Sequence, residues 1–96
     1  MITPKQRAYL KSLANSIEPV FQVGKGGVND AQTAQMDDYL RVHELMKVKV
    51  LDNSMVNARE AAEEISQAIS CEVVQVIGSK VVFYKKNPKG PKIILK

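Results

Sequence analysis

The sequence predicts an α/β domain: a two-layer, four-stranded mixed sheet with helices mainly on one face, in the order α-β-α-β-α-β-β. Three features point there. Apolar residues recur at helical spacing in three separate segments, "ELMKVKVLD" alternates at the period of a strand, and two β-branched runs flank Gly78-Ser79.

The first helix starts at Thr3-Pro4-Lys5-Gln6, where Thr3 caps, Pro4 suits the first turn and Gln6 stands at the capping-box position. Leu10, Leu13, Ala14 and Ile17 form its apolar stripe. Pro19 ends that segment, and residues 20–23 are short and β-branched enough for a strand. Asn29 is the next cap, with Gln32 three residues on; Met36, Tyr39, Leu40 and His43 then share a face, so residues 30–43 read as a second helix. In the following strand Met46, Val48 and Val50 point one way and Lys47 and Lys49 the other, which gives a half-buried strand with a wet, basic face. Asp52-Asn53-Ser54 breaks it and offers a cap. Met55, Ala58, Ala62, Ile65 and Ile69 follow at helical spacing, with Arg59, Glu60, Glu63 and Glu64 largely elsewhere. "EVVQVIGSKVVFYKK" is a hairpin with a two-residue turn. Strands joined through helices are expected to be parallel, and the hairpin adds an antiparallel member. Residues 1–86 make the domain; residues 87–96, with two prolines, a glycine and lysines, are expected to be a basic, mobile tail.

Ninety-six residues with 45% hydrophobic and 25% charged content suit a single globular domain. A domain of this size buries only about two-thirds of the surface its unfolded chain exposes, so a deep cavity for a large cofactor is not expected, and no cofactor is assigned. The lone Cys71 leaves no internal disulfide and reads as a packed thiol. The first residues hold no apolar run of signal-peptide length, and no window approaches the roughly 20 apolar residues of a membrane span. A cytoplasmic, soluble protein without a membrane partner is the expectation.

Charge is unevenly placed. Residues 1–25 carry Lys5, Arg7, Lys11 and Lys25 against Glu18; residues 26–79 hold four basic and nine acidic side chains; residues 80–96 hold six lysines and no acid. If the two ends meet in space, they form a positive face backed by a negative one, and a polyanion would orient against it. A solvated, lysine-rich surface is the plainer reading.

"VFQVGKGGVND" concentrates the question of function. Glycines at 24, 26 and 27 lie between a strand and a helix N-terminus, where unpaired amides and the dipole favour an anion. Glycine removes the Cβ atoms that would hold a phosphate away, and Lys25 adds positive charge at the tip. A strand-to-helix turn that needs positive φ would use the same residues. The spacing excludes a Walker A loop, and Asn29 stands where a dinucleotide fingerprint needs its third glycine. The GxxG pattern Gly24-Lys25-Gly26-Gly27 remains, the short clamp that KH domains place on RNA backbone. A small nucleotide or phosphate site in the same loop stays open as the alternative.

"LKSLANSIEPVFQVGKGGVND", "HELMKVKV" and "VVQVIGSKVVFYKK", in that order, resemble the bacterial YhbY-type RNA-binding proteins, or CRM (chloroplast RNA splicing and ribosome maturation) domain, over about residues 3–86. The resemblance implies a sheet of order 1-2-4-3 like that of the C-terminal domain of bacterial translation initiation factor 3. It also implies RNA binding through the GxxG loop and association with the maturing large ribosomal subunit. RNA, and ribosomal RNA in particular, is thus the expected partner, DNA is not, and the chain is expected to be monomeric. The candidate RNA-binding residues are Gly24, Lys25, Gly26 and Gly27 in the loop, Lys5, Arg7 and Lys11 on the first helix, Lys47 and Lys49 on the strand, and Lys80, Lys85 and Lys86 around the hairpin, where they would bring three charges to one place. The helix and strand lysines are equally compatible with ordinary surface charge.

Catalysis has no support from residue type and spacing. His43 and Glu44 adjoin one another, but the chain has one histidine and one cysteine, so a structural hydrogen-bonding role is expected there and no metal site. Of the five aromatic residues, only Tyr9 and Tyr84 suit solvent exposure, so a multi-aromatic stacking platform is not expected.

Overall fold

A computed structural model describes residues 2–91 and residue 93. The elements are α1 (Pro4–Ala14), β1 (Phe21–Val23), α2 (Asp30–His43), β2 (Leu45–Val50), α3 (Ala58–Ile69), β3 (Glu72–Ile77) and β4 (Lys80–Tyr84). The sheet runs β1-β2-β4-β3, with β1 parallel to β2 and both β4 pairings antiparallel. The α/β class, the element order and the strand order are those expected.

Each helix begins where a side chain can take an orphan amide. Thr3 Oγ1 accepts from Gln6 N, and Gln6 Oε1 accepts from Thr3 N, completing the box read from the sequence. Asn29 Oδ1 accepts from Gln32 N at the head of α2. α3 departs from expectation. Its cap is Asn57, not the Asp52–Ser54 stretch, and Met55 lies outside the helix at 80% exposure. Asn57 and Glu60 satisfy two orphan amides reciprocally, at 2.8 and 3.1 Å. Residues 51–54 instead close a turn, Ser54 N donating to Leu51 O. Two satisfied donors outweigh the single one that the earlier cap would offer.

Alternation along the strands sorts the core into two. Met46, Val48, Val50, Val81 and Phe83 meet Met36 and Leu40 of α2 and Ala61, Ala62, Ile65 and Ile69 of α3 on one face. Leu45, Val74, Val82 and Tyr84 meet Leu10 and Ala14 of α1, with Ile2, on the other. Two of the three helices therefore share a face, and α1 forms a partial third layer opposite them. The helix α1 covers only the end of the sheet nearest Leu45 and Tyr84. Tyr84 is consequently only 4% exposed, against the expectation of solvent access, and its burial followed by the nearby Glu44 raises the phenol above its ordinary pKa.

Glu44 closes α2 with a left-handed backbone (φ 65°) and is fully buried. Its carboxylate oxygens accept from Asn87 N at 2.9 Å and Ile93 N at 2.8 Å, which ties these residues of the C-terminal segment to the sheet base. Two such bonds, at about 1 kcal/mol each net, offset the roughly 1–2 kcal/mol that this backbone costs a residue with a Cβ. Of the tail expected at residues 87–96, positions 92 and 94–96 lie outside the described residues.

The capping assignment is testable by urea denaturation: Asn57→Ala should lower the unfolding free energy by about 1 kcal/mol, and Asn53→Ala should change it by no more than about 0.5 kcal/mol.

Candidate nucleic-acid interface

Three loops gather at the sheet edge where the parallel strands end. Leu51 N donates to Val23 O at 2.9 Å and Val50 N to Ser79 O at 2.7 Å, so residues 24–27, residues 51–57 and the Gly78-Ser79 turn form one rim. In the glycine loop, Gly27 N donates to Gly24 O at 2.9 Å, and Gly27 takes φ +69°, where a side chain would be strained. A Cβ on Gly26 would meet nothing within 4 Å, so the loop lies open there, beside the exposed Lys25. The helix head behind it is less bare than expected. Asn29 has taken the Gln32 amide, and Asp30 places a carboxylate in the first turn, where it already complements the dipole. An incoming anion would find its room at Lys25 and Gly26 rather than at the helix terminus.

Below the rim, Lys47, Lys49 and Lys80 occupy the half of the sheet that α1 leaves uncovered. The register sets Gln22, Lys49, Lys80 and Ile77 side by side across all four strands. Val50 N bonds to Ser79 O and Lys85 N to Glu44 O, so hydrogen-bonded pairs fall on the even residues of β2 and the odd residues of β4. Lys49 and Lys80 are therefore a non-hydrogen-bonded pair, with Cα atoms about 4.5 Å apart. Like charges directly opposed in this way are unfavourable by a few tenths to about 1 kcal/mol. Among the described residues, the side chains of Lys25, Lys47, Lys49 and Lys80 have no hydrogen-bond or ion-pair partner. A groove of about 370 Å³ runs here, between Ala14 and Asn15 at the end of α1 and Lys47, Gln75, Lys80 and Val82 of the sheet.

The other candidates are placed differently. Lys5 and Lys11 are exposed on α1. Arg7 is engaged: its guanidinium donates to Val73 O and, at 3.1 Å, to Val74 O, where β3 bulges on the sheet's outer edge. Lys85 is engaged as well, donating to Ile69 O at 2.7 Å and pairing with Asp37 at 3.2 Å between α2 and α3. Lys80, Lys85 and Lys86 do not gather at one place, contrary to expectation, because β4 holds Lys80 about 17 Å from Lys85. Pairing partners distant in sequence, Val73 and Asp37, decided both cases.

The sheet separates charge. α2 and α3 together carry six carboxylates (Asp30, Asp37, Asp38, Glu60, Glu63 and Glu64) against Arg41 and Arg59. α1 carries Lys5, Arg7 and Lys11 with no acid, above the face that bears Lys47, Lys49 and Lys80. Of the aromatics, Phe21 packs edge-on against Tyr39, which stacks on His43 at 4.1 Å between ring centroids. Tyr9, 47% exposed on α1, is the open one. Among the described residues, no group of three His, Cys, Asp or Glu side chains could hold a metal ion.

A small α/β module with an acidic helical layer, a basic sheet face and an open glycine loop on their shared rim is thus the class defined by the geometry. Residues 2–85 match the model of the CRS1 / YhbY (CRM) domain, and the chain belongs to that family. It is 40% identical over 95 residues to the "Probable RNA-binding protein YqeI" of Bacillus subtilis (strain 168), covering 99% of each chain. It is 31% identical over 91 residues to a "Probable RNA-binding protein" of Pseudomonas aeruginosa, covering 95% of this chain and 88% of the relative. The solution structure of a hypothetical protein from Staphylococcus aureus is similar throughout, with 47% identity, full coverage of both chains and a TM-score of 0.83.

Cys71 lies apart from this face. Burial pushes its thiol up to about 12 from an ordinary 9.0, with Lys85 pulling the other way. The folded thiol keeps its proton while the unfolded one ionises, so this contribution to stability is intact below pH 9 and is lost as pH rises towards 12. Denaturation across that window should show wild type losing stability more steeply than Cys71→Ala; parallel curves would contradict the assignment.

Proposed function

We propose that this protein binds RNA without catalysing a reaction on it, and that it holds the sugar–phosphate backbone at Lys25–Gly26 and along the basic face beneath. The carrying observation is the sorting of charge by the sheet, with four lysines unpaired among the described residues on or next to one face. Membership of the CRS1 / YhbY family and relatives named as RNA-binding support the same reading. Ribosomal RNA in a maturing large-subunit particle is the RNA we propose, from the family resemblance, and a monomer in the cytoplasm is the form we propose to act. Among the described residues, no helix is long and apolar enough to cross a membrane.

Backbone recognition fits the side chains better than base stacking, because the open face presents lysines, Gln22, Gln75 and Ile77 and no aromatic ring among the described residues. A small-nucleotide site in the same loop is less well supported: Gly26 opens to space on its Cβ side, with nothing there to enclose a base.

Titration of a fluorescein-labelled RNA hairpin at several salt concentrations tests the proposal. About four phosphate contacts predict a log–log slope near −3 to −4. Lys25→Glu and Gly26→Asp should each weaken binding by about tenfold or more, the equivalent of one charge-assisted contact. The open space around Gly26 and its ordinary φ mean that the aspartate should fold. Binding indifferent to salt and to both substitutions would contradict the mechanism. Co-sedimentation with pre-large-subunit particles that survives nuclease treatment would contradict the RNA partner.

A further inference from the structure

We infer that the opposed pair Lys49–Lys80 is a phosphate subsite on the open half of the sheet, a second grip on RNA backbone separate from the glycine loop. This rests on the RNA-binding reading and adds the path of the strand. Lys49 and Lys80 face each other at the narrow kind of cross-strand pair, on the face opposite the main core. Their row contains Gln22 on one side and Ile77 on the other, so no carboxylate stands in it. Neither ammonium has a partner among the described residues. Selection for stability alone would place an acid opposite a lysine here; a local rule broken without compensation within the fold marks a position kept for something outside it.

The geometry suits a phosphodiester. Two side chains whose Cβ atoms are about 5 Å apart can bring both ammonium groups to the oxygens of one phosphate, whose charge removes their mutual repulsion. Lys47 follows on the same face two residues along β2, about 7 Å away, in position for a neighbouring phosphate. The groove between the end of α1 and β4 provides the channel, with Asn15 and Gln75 as neutral polar walls. Ile77, 56% exposed, and Val20, 44% exposed, offer apolar surface at either side for the sugars. At the upper end, β1 leaves the sheet one residue beyond Val23, the partner of Val50, and enters the glycine loop. The backbone thus passes from Lys25–Gly26 over the rim to Lys49–Lys80 and on to Lys47.

Lys80→Glu separates this role from that of a solvating surface lysine. The substitution replaces repulsion with attraction across the strand pair, so the melting temperature should equal or exceed that of wild type, while affinity for the labelled RNA hairpin falls. The expected loss is at least about tenfold, with a salt slope shallower by about 1; Lys80→Gln should give a smaller loss and decides the matter if the glutamate variant does not fold. Affinity within about twofold of wild type, while Gly26→Asp weakens binding, overturns the subsite and leaves the RNA reading intact. Failure of the wild-type protein to bind the hairpin at all overturns the RNA reading, and the subsite with it.

Discussion

The pairing of β2 with β4 is the constraint on which the rest of the molecule depends. Its register places Met46 opposite Phe83 and Val48 opposite Val81 on one face, and Lys49 opposite Lys80 on the other. A slip of one residue would turn the lysines into the layer occupied by α2 and α3 and expose the valines. The two-residue turn at Gly78-Ser79 helps hold that register, because Gly78, at φ 57°, supplies the positive dihedral that a tight hairpin turn needs. Packing and charge are therefore set by a single choice. The same alternation that fills the core around Phe83 puts Lys49 and Lys80 on the opposite surface, in a row without a carboxylate.

Charge on this protein is divided between fold and surface. Arg7 satisfies edge carbonyls at the β3 bulge, and Lys85 satisfies the last carbonyl of α3 and pairs with Asp37. Glu44, at the sheet base, receives backbone amides from beyond β4. These are local debts of the backbone, and meeting them takes cations out of circulation. The acids of α2 and α3 face away from the strands' open side, so the field of the whole molecule presents one positive face to an approaching polyanion. Exposed single pairs add little to stability, so leaving Lys25 and Lys47 unpaired costs the fold little, and the opposed Lys49–Lys80 pair alone carries a cost, of up to about 1 kcal/mol.

Local rules were legible in the sequence, and long-range ones were not. The Thr3–Gln6 box, the limits of α2 and the alternation of residues 46–50 depend on neighbours a few positions away, and the sequence shows them directly. The start of α3 was misplaced because Asp52–Ser54 and Asn57 both offer caps, and only the reciprocal Glu60 bond separates them. The opposite side for α1, the burial of Tyr84 and the engagement of Arg7 and Lys85 all depend on contacts tens of residues apart. The glycine loop and the strand lysines could be named from the sequence as candidates, but the opposition of Lys49 and Lys80 required the register of a strand pair 31 positions apart.

The sorting of charge by the sheet can be tested most directly by following the backbone amide NMR signals of the protein as an RNA hairpin is added. Shifts confined to residues 24–27, to the open-face positions of β2 and β4 around Lys47, Lys49 and Lys80, and to the end of α1 are the predicted result. Shifts centred on the outer surfaces of α2 and α3, with the strand lysines unmoved, would contradict it.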